Sequence, residues 1–245
     1  MKNYLGYMKR NLIAGLLSGI LMMALTGMAS ATSIINNSTM GYYNSSIGLS
    51  LDKTNPVGNT FMFPGTNYSV PYGSTGYTGG DPTLNILSAP NLSTASKLGN
   101  WLTDPSNLNK DSNWSFMSIP SSWKVNDETA VVYKIDAGTT GLKNVLAQFG
   151  VDNGIFAWLD GSFLHGWLAP GGVGAYEYTQ NIGSLSAGNH YLQILREDHG
   201  GSDGYVVNVT GDAAPVPEPG TMVLLGFGMF CLAVYGKRRI NYSLA

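Results

Sequence analysis

The stretch Ile155-Phe156-Ala157-Trp158-Leu159-Asp160-Gly161-Ser162-Phe163-Leu164-His165-Gly166-Trp167-Leu168 decides the fold class. Two apolar runs, 155–159 and 162–168, flank Asp160-Gly161. That pair is a strong hairpin signal, because a type I′ turn needs positive φ at both central residues. Working outward, Ala130–Ile135 reads as a strand with Val131, Tyr133 and Ile135 on one face. Leu142–Phe149 is another apolar stretch, and Tyr176–Ile182 is the next strand. Leu185-Ser186-Ala187-Gly188-Asn189 is a turn into His190–Leu195. Tyr205–Thr210 closes the set, with Tyr205, Val207 and Val209 facing one way. No helical period of any length and no internal repeat interrupts this order. The expected fold is therefore all-β, a single sandwich.

Upstream the signals are weaker. Residues 33–80 are rich in Asn, Ser, Gly and Tyr and read as short strands and long loops, with a turn at Pro64-Gly65 after Phe61-Met62-Phe63. Ala95–Leu102 reads equally as a short helix or a strand. Trp101, Trp114 and Trp123 are assigned to the edge of the core. The 32 glycines and the 11% of charged residues fit many strands joined by turns, and the abundance of apolar residues excludes a disordered chain.

The two ends have a different character. Lys9 and Arg10 precede the uncharged apolar run Leu12–Met28, and Ala29-Ser30-Ala31 is a small-x-small cleavage site. These are the three parts of a secretory signal peptide, residues 1–31, to be cut after Ala31 by signal peptidase. An uncleaved anchor is the other reading, but the run is short for a membrane span. At the far end, Pro215-Val216-Pro217-Glu218-Pro219-Gly220 leads into apolar Thr221–Gly236 and then Lys237-Arg238-Arg239. A helix over 221–236 is about 24 Å long against a hydrocarbon core of about 30 Å, so it is marginal as a permanent anchor. The basic cluster would stay cytoplasmic, which places the body outside. An apolar helix is thus expected at each terminus, with the β-sandwich at 32–214, best defined over 95–212, and the tail at 215–245. Cys231, the one cysteine, lies in the tail, so the body forms no internal disulfide. The body holds seven bases and fourteen acids, a net charge of about −7. That balance argues against nucleic acid, which wants a basic face, and suits divalent cations with oxygen ligands.

The tail resembles the PEP-CTERM sorting signal through Val216, Pro217, Glu218 and Pro219, the short apolar helix and the basic end. Only the six residues after the basic cluster depart from the pattern. The resemblance implies processing by an exosortase near Pro-Glu-Pro, a passage through the inner membrane, and a final place at the surface or in the matrix of a Gram-negative bacterium that makes extracellular polysaccharide. Residues 95–212 resemble a galactose-binding-like jelly-roll, on Val151-Asp152-Asn153, the Asp-Gly hairpin, the Leu-Ser-Ala-Gly-Asn turn and the strand after Asp198-His199-Gly200-Gly201. That resemblance implies glycan binding and a structural Ca²⁺.

Candidate site residues follow from these patterns. Asp152, Asp198 and Asp203 lie on loops beside strands and are the candidate Ca²⁺ ligands; the alternative is that they cap turns in solvent. Trp158, His165, Trp167 and Tyr176 are the candidate sugar-binding residues, although Trp158 and Trp167 also fit alternating core positions. The three histidines lack metal-ligand spacing, and no Gly-x-Ser-x-Gly nucleophile elbow is present. The expected role is a non-catalytic surface protein that binds polysaccharide. A carbohydrate-active hydrolase, with two carboxylates facing across a cleft, and a purely structural envelope protein are the alternatives.

Overall fold

The computed structural model describes residues 31–48, 84–124, 127–152, 154–168, 172–198, 203–214, 226–230 and 232. Residues 1–30 of the expected signal peptide (1–31), Phe61–Phe63, Asn153, His199–Ser202 and the sorting motif Val216–Pro219 lie outside them. The chain divides into two units, 1–32 and 33–245. Only Ala31 and Thr32 of the first are described.

Eleven strands form among the described residues: β1 (Thr32–Ile35), β2 (Met40–Gly48), β3 (Leu84–Ile86), β4 (Ser115–Ser118), β5 (Glu128–Asp136), β6 (Leu142–Asp152), β7 (Gly154–Leu159), β8 (Ser162–Leu168), β9 (Tyr178–Leu185), β10 (Asn189–Glu197) and β11 (Gly204–Ala213). They make a four-stranded sheet in the order β1-β11-β6-β9 and a seven-stranded sheet in the order β3-β8-β7-β10-β5-β2-β4. The β7–β8 hairpin forms where Asp160-Gly161 placed it, with φ of 50° and 77° at the two turn residues.

The two sheets share one core. Val145, Ala147, Phe149 and Val151 of β6 and Tyr205, Val207 and Val209 of β11 meet Val131, Tyr133 and Ile135 of β5 and Leu192 and Ile194 of β10. Each set is every second residue of its strand, as the period-2 pleat requires. The other face of the larger sheet is covered too. Ala130, Val132, Phe156, Trp158 and Leu195 bury themselves under Ala95, Leu98, Trp101, Leu108 and Trp114. That second layer comes from the segment before β4, which forms two 3-10 turns, Ser96–Leu98 and Pro105–Lys110, and not an α-helix or strand. Polar side chains of the sheet pin it down, with Asn44 Nδ2 donating to Lys97 O at 2.8 Å and Gln193 Nε2 to Trp101 O at 3.1 Å, while Trp114 Nε1 donates to Leu98 O at 3.3 Å within the segment. Buried amides and indoles that find partners in this way fix one register of loop on sheet.

No helix among the described residues is long and apolar enough to cross a membrane. Residues 226–230 and 232 of the tail have helical backbone and are exposed.

Candidate functional site

Because β5 through β11 cross repeatedly between the sheets, their loops gather at two ends. One end holds residues 119–124, Asp152 at the end of β6, residues 172–177 before β9, and Asp198 and Asp203 beside the ends of β10 and β11. The other holds the tight turns Ala137–Gly141, Asp160-Gly161 and Ser186–Gly188.

At the first end the acids collect. Asp152 lies across from Gly204 in the β6–β11 ladder, which sets Asp203 beside it. Asp152 and Asp198 are buried, and Asp203 is half-buried. Asp203 Oδ2 accepts the Trp123 backbone N–H. The described residues contain no group of three or more His, Cys, Asp or Glu side chains arranged to hold a metal ion. Glu128 and Glu197 are also fully buried. The β5–β10 register runs through Arg196↔Thr129, so one step further sets these two carboxylates opposite each other. Neither reaches solvent, so the pair lacks the open cleft that a glycosidase needs.

Arg196 organises this end. Its Nε donates to Thr129 Oγ1 at 3.1 Å and its Nη1 to Pro120 O at 2.9 Å. The guanidinium lies 4.3 Å from the Trp123 ring centre, 4.5 Å from Tyr205 and 5.5 Å from Tyr43. Complete burial pushes its pKa down, while Tyr205, Tyr43, Tyr133 and Asp203 favour its charge. The cage is a rivet that ties β10, β5, β11 and the segment holding Pro120 and Trp123 together.

The predicted sugar-binding residues separate. Trp158 is 2% exposed, held edge-on against Trp101 at 5.3 Å and Phe163 at 5.4 Å. It faces the second layer, so no ring face is left for a sugar. Trp167 is 7% exposed and belongs to the core between the sheets. Its ring stacks on Tyr178 at 5.5 Å and lies 4.3 Å from His165. His165 is half-buried, and desolvation holds its pKa below the usual value. Tyr176 is 43% exposed, with φ of 60°. The structure thus brings His165 and Trp167 together, leaves Trp158 on the opposite face of the sheet, and places Tyr176 two residues from the stack.

A different set of rings is open. Met40 and Phe116 are 48% and 59% exposed. Phe116 lies opposite Tyr42 in the β2–β4 ladder, and the rings meet edge-on at 5.3 Å. Tyr42 and Tyr191 are half-buried against the second layer. Tyr191 lies across from Lys134. Its pKa is raised by burial, then by the nearness of Tyr42, Asp160 and Asp104. These rings therefore form one outer face. Beside it a cleft of about 320 Å³ is lined by Asn100, Asp104, Asn107, Leu108, Lys110 and Asp111. Asp104 is oriented by Asn107 Nδ2 at 2.8 Å and Ser106 Oγ at 3.0 Å. Asp111 is held by the Asn113 N–H at 2.9 Å. Rings flanked by pre-oriented amides and carboxylates suit a polyhydroxylated ligand. Sequence reading missed this face. The only local hint was the spacing of Met40 and Tyr42, and nothing in the sequence set Phe116 beside them.

No curated protein matches the chain. Residues 215–239 match the PEP-CTERM protein-sorting motif, and by that motif the chain is an exported surface protein of the kind that exosortases process in Gram-negative bacteria.

Proposed function

We propose that the chain is a non-catalytic surface protein whose sandwich holds polysaccharide on its outer face after export. The observation that supports this most directly is exposed Phe116, with half-buried Tyr42 and Tyr191, beside the Asp104–Asp111 cleft. Rings give stacking area on the apolar faces of sugars, and the fixed Asn and Asp side chains accept and donate to hydroxyls. Each contact is weak, and many copies at one cell envelope convert weak contacts into retention. In this reading signal peptidase cuts after Ala31. The apolar 221–236 stretch then holds the chain in the inner membrane until an exosortase acts at Pro217-Glu218-Pro219.

The winding order supports the jelly-roll reading of the body. Strands β1-β11-β6-β9 face β5-β10-β7-β8, and from β5 to β11 every successive connection but the β7–β8 hairpin passes between the sheets, as in two interleaved Greek keys. Strands β2, β3 and β4 extend the second sheet, and Tyr42 and Phe116 of the outer face lie on that extension.

The test is co-sedimentation of the protein with polysaccharide from the bacterium that makes it, in Ca²⁺ and in chelator. Binding in both conditions supports the outer face as the site. Binding lost with chelator moves the site to the Asp152, Asp198 and Asp203 end. No sedimentation in either condition leaves a structural envelope protein, and release of reducing ends makes the protein a hydrolase.

A further inference from the structure

At the end of the sandwich away from the acids, three side chains line up. His190 Nδ1 lies 2.6 Å from Asp160 Oδ2, and His190 Nε2 lies 3.3 Å from Ser186 Oγ. The order Ser–His–Asp is that of a nucleophilic triad, but a third contact reverses the reading. Nε2 is closer to Ser186 backbone O, at 3.1 Å. A carbonyl oxygen only accepts, so Nε2 carries its proton. Nδ1 faces a carboxylate at charge-assisted distance and carries one as well. An imidazole with both nitrogens protonated is a cation and takes no proton from a serine.

We propose that His190 is a proton-operated staple that joins the Asp160-Gly161 turn to the Ser186–Gly188 turn. Its two N–H groups span the 7-stranded sheet's hairpin and the β9–β10 crossing. Asp160 passes the restraint on: its Oδ1 accepts the Tyr191 N–H at 2.8 Å and its own N–H donates to Tyr191 O at 2.9 Å. The Ser186–Gly188 turn is in turn bonded to the β5–β6 turn, through Gly188 N to Gly138 O at 2.9 Å and Ala137 N to Gly188 O at 2.8 Å. One imidazolium therefore bridges three turns.

The charged groups around it are few. Asp160 faces it from the β7–β8 turn. Asp136 lies across from Asn189 in the ladder, and its Oδ1 is engaged by the Gly138 N–H at 2.9 Å. Lys134 lies across from Tyr191. Desolvation opposes the charged ring, but the hydrogen bonds to Asp160 and Ser186 and the Asp160 charge outweigh it, and the His190 pKa is raised. A raised folded-state pKa means that the stabilisation is complete below the ordinary histidine value of about 6.5 and is lost as pH rises through the folded value. The staple is closed in mildly acid surroundings and opens toward alkaline pH.

The test is hydrogen exchange of the full chain at pH 5.5 and 8.5, each corrected for the intrinsic rate, read on peptides covering 157–163 and 184–191. Slower opening at pH 5.5, by about threefold to tenfold, is expected. His190→Gln and Asp160→Asn should each abolish that difference. Ser186→Ala should keep it, because the backbone carbonyl still accepts. A pH difference that survives both His190→Gln and Asp160→Asn overturns the proposal. So does labelling of Ser186 by a fluorophosphonate, which would show a nucleophilic serine.

Discussion

Replacing Arg196 tests whether the sandwich is riveted at its acidic end. Arg196→Ala removes two charge-assisted hydrogen bonds, to Thr129 Oγ1 and Pro120 O, worth about 1.5–3 kcal/mol each. It also removes cation–π contacts with Trp123 and Tyr205, worth about 1–2 kcal/mol each when desolvated. The native state already bears several kcal/mol for taking the guanidinium out of water. The net loss should therefore be about 3–5 kcal/mol, which is the range for breaking a buried charged network. For a body of this size that lowers Tm by about 6–20 °C. Arg196→Met refills the space between the rings without a charge to desolvate, so it should cost only about 1–2 kcal/mol, mainly from the Pro120 carbonyl left unpaired. Urea unfolding followed by tryptophan fluorescence reads both, since Trp123 forms one wall of the cage. If Arg196→Ala lies within 1 kcal/mol of wild type, or if Arg196→Met is as damaging as Arg196→Ala, the rivet is not what holds this end.

Other expectations concern the core and the turns. Trp158→Ala should cost about 3–5 kcal/mol by leaving a cavity among Trp101, Phe156 and Phe163; a change under 1 kcal/mol in calorimetry would put the ring at the surface after all. Gly161→Ala should destabilise by at least about 1 kcal/mol, because φ is 77° and an added Cβ meets Leu102 O; equal urea midpoints would contradict that turn geometry. Burial pushes the Tyr133 pKa up to about 12, against smaller opposing effects from the Tyr205 hydrogen bond and Arg196. Its contribution, on the order of 2 kcal/mol, is complete below pH 10 and drains between pH 10 and 12. Tyr133→Phe should flatten that alkaline limb in a pH series of unfolding curves.

How much of this was legible in the sequence depended on distance along the chain. The β7–β8 hairpin could be read because Asp160-Gly161 carries its own turn geometry. The strands β5 and β11 could be read because one face of each alternates. Strand β7 shows no alternation, since Ile155 faces one layer and Phe156 and Trp158 face another. That double coverage is why the sequence kept Trp158 as a candidate sugar platform beside the core reading it favoured. The tail could be read because its motif is local. The outer face could not, because Phe116 meets Tyr42 across more than seventy residues and through a ladder that no local pattern specifies. The same holds for His190 and Asp160, which lie thirty residues apart. Strand order alone does not specify that Asp152 lies across from Gly204, beside Asp203, because those residues are more than fifty positions apart.

The most direct test of the central claim is calorimetric titration of the protein with its host's polysaccharide, wild type against Phe116→Ala. Phe116 is exposed, so its removal should leave Tm within about 0.5 kcal/mol equivalent of wild type. The loss of stacking area should weaken binding by about tenfold, or 1.4 kcal/mol. Unchanged affinity in Phe116→Ala, or no heat of binding with the wild type, would contradict the assignment of the outer face as a polysaccharide site.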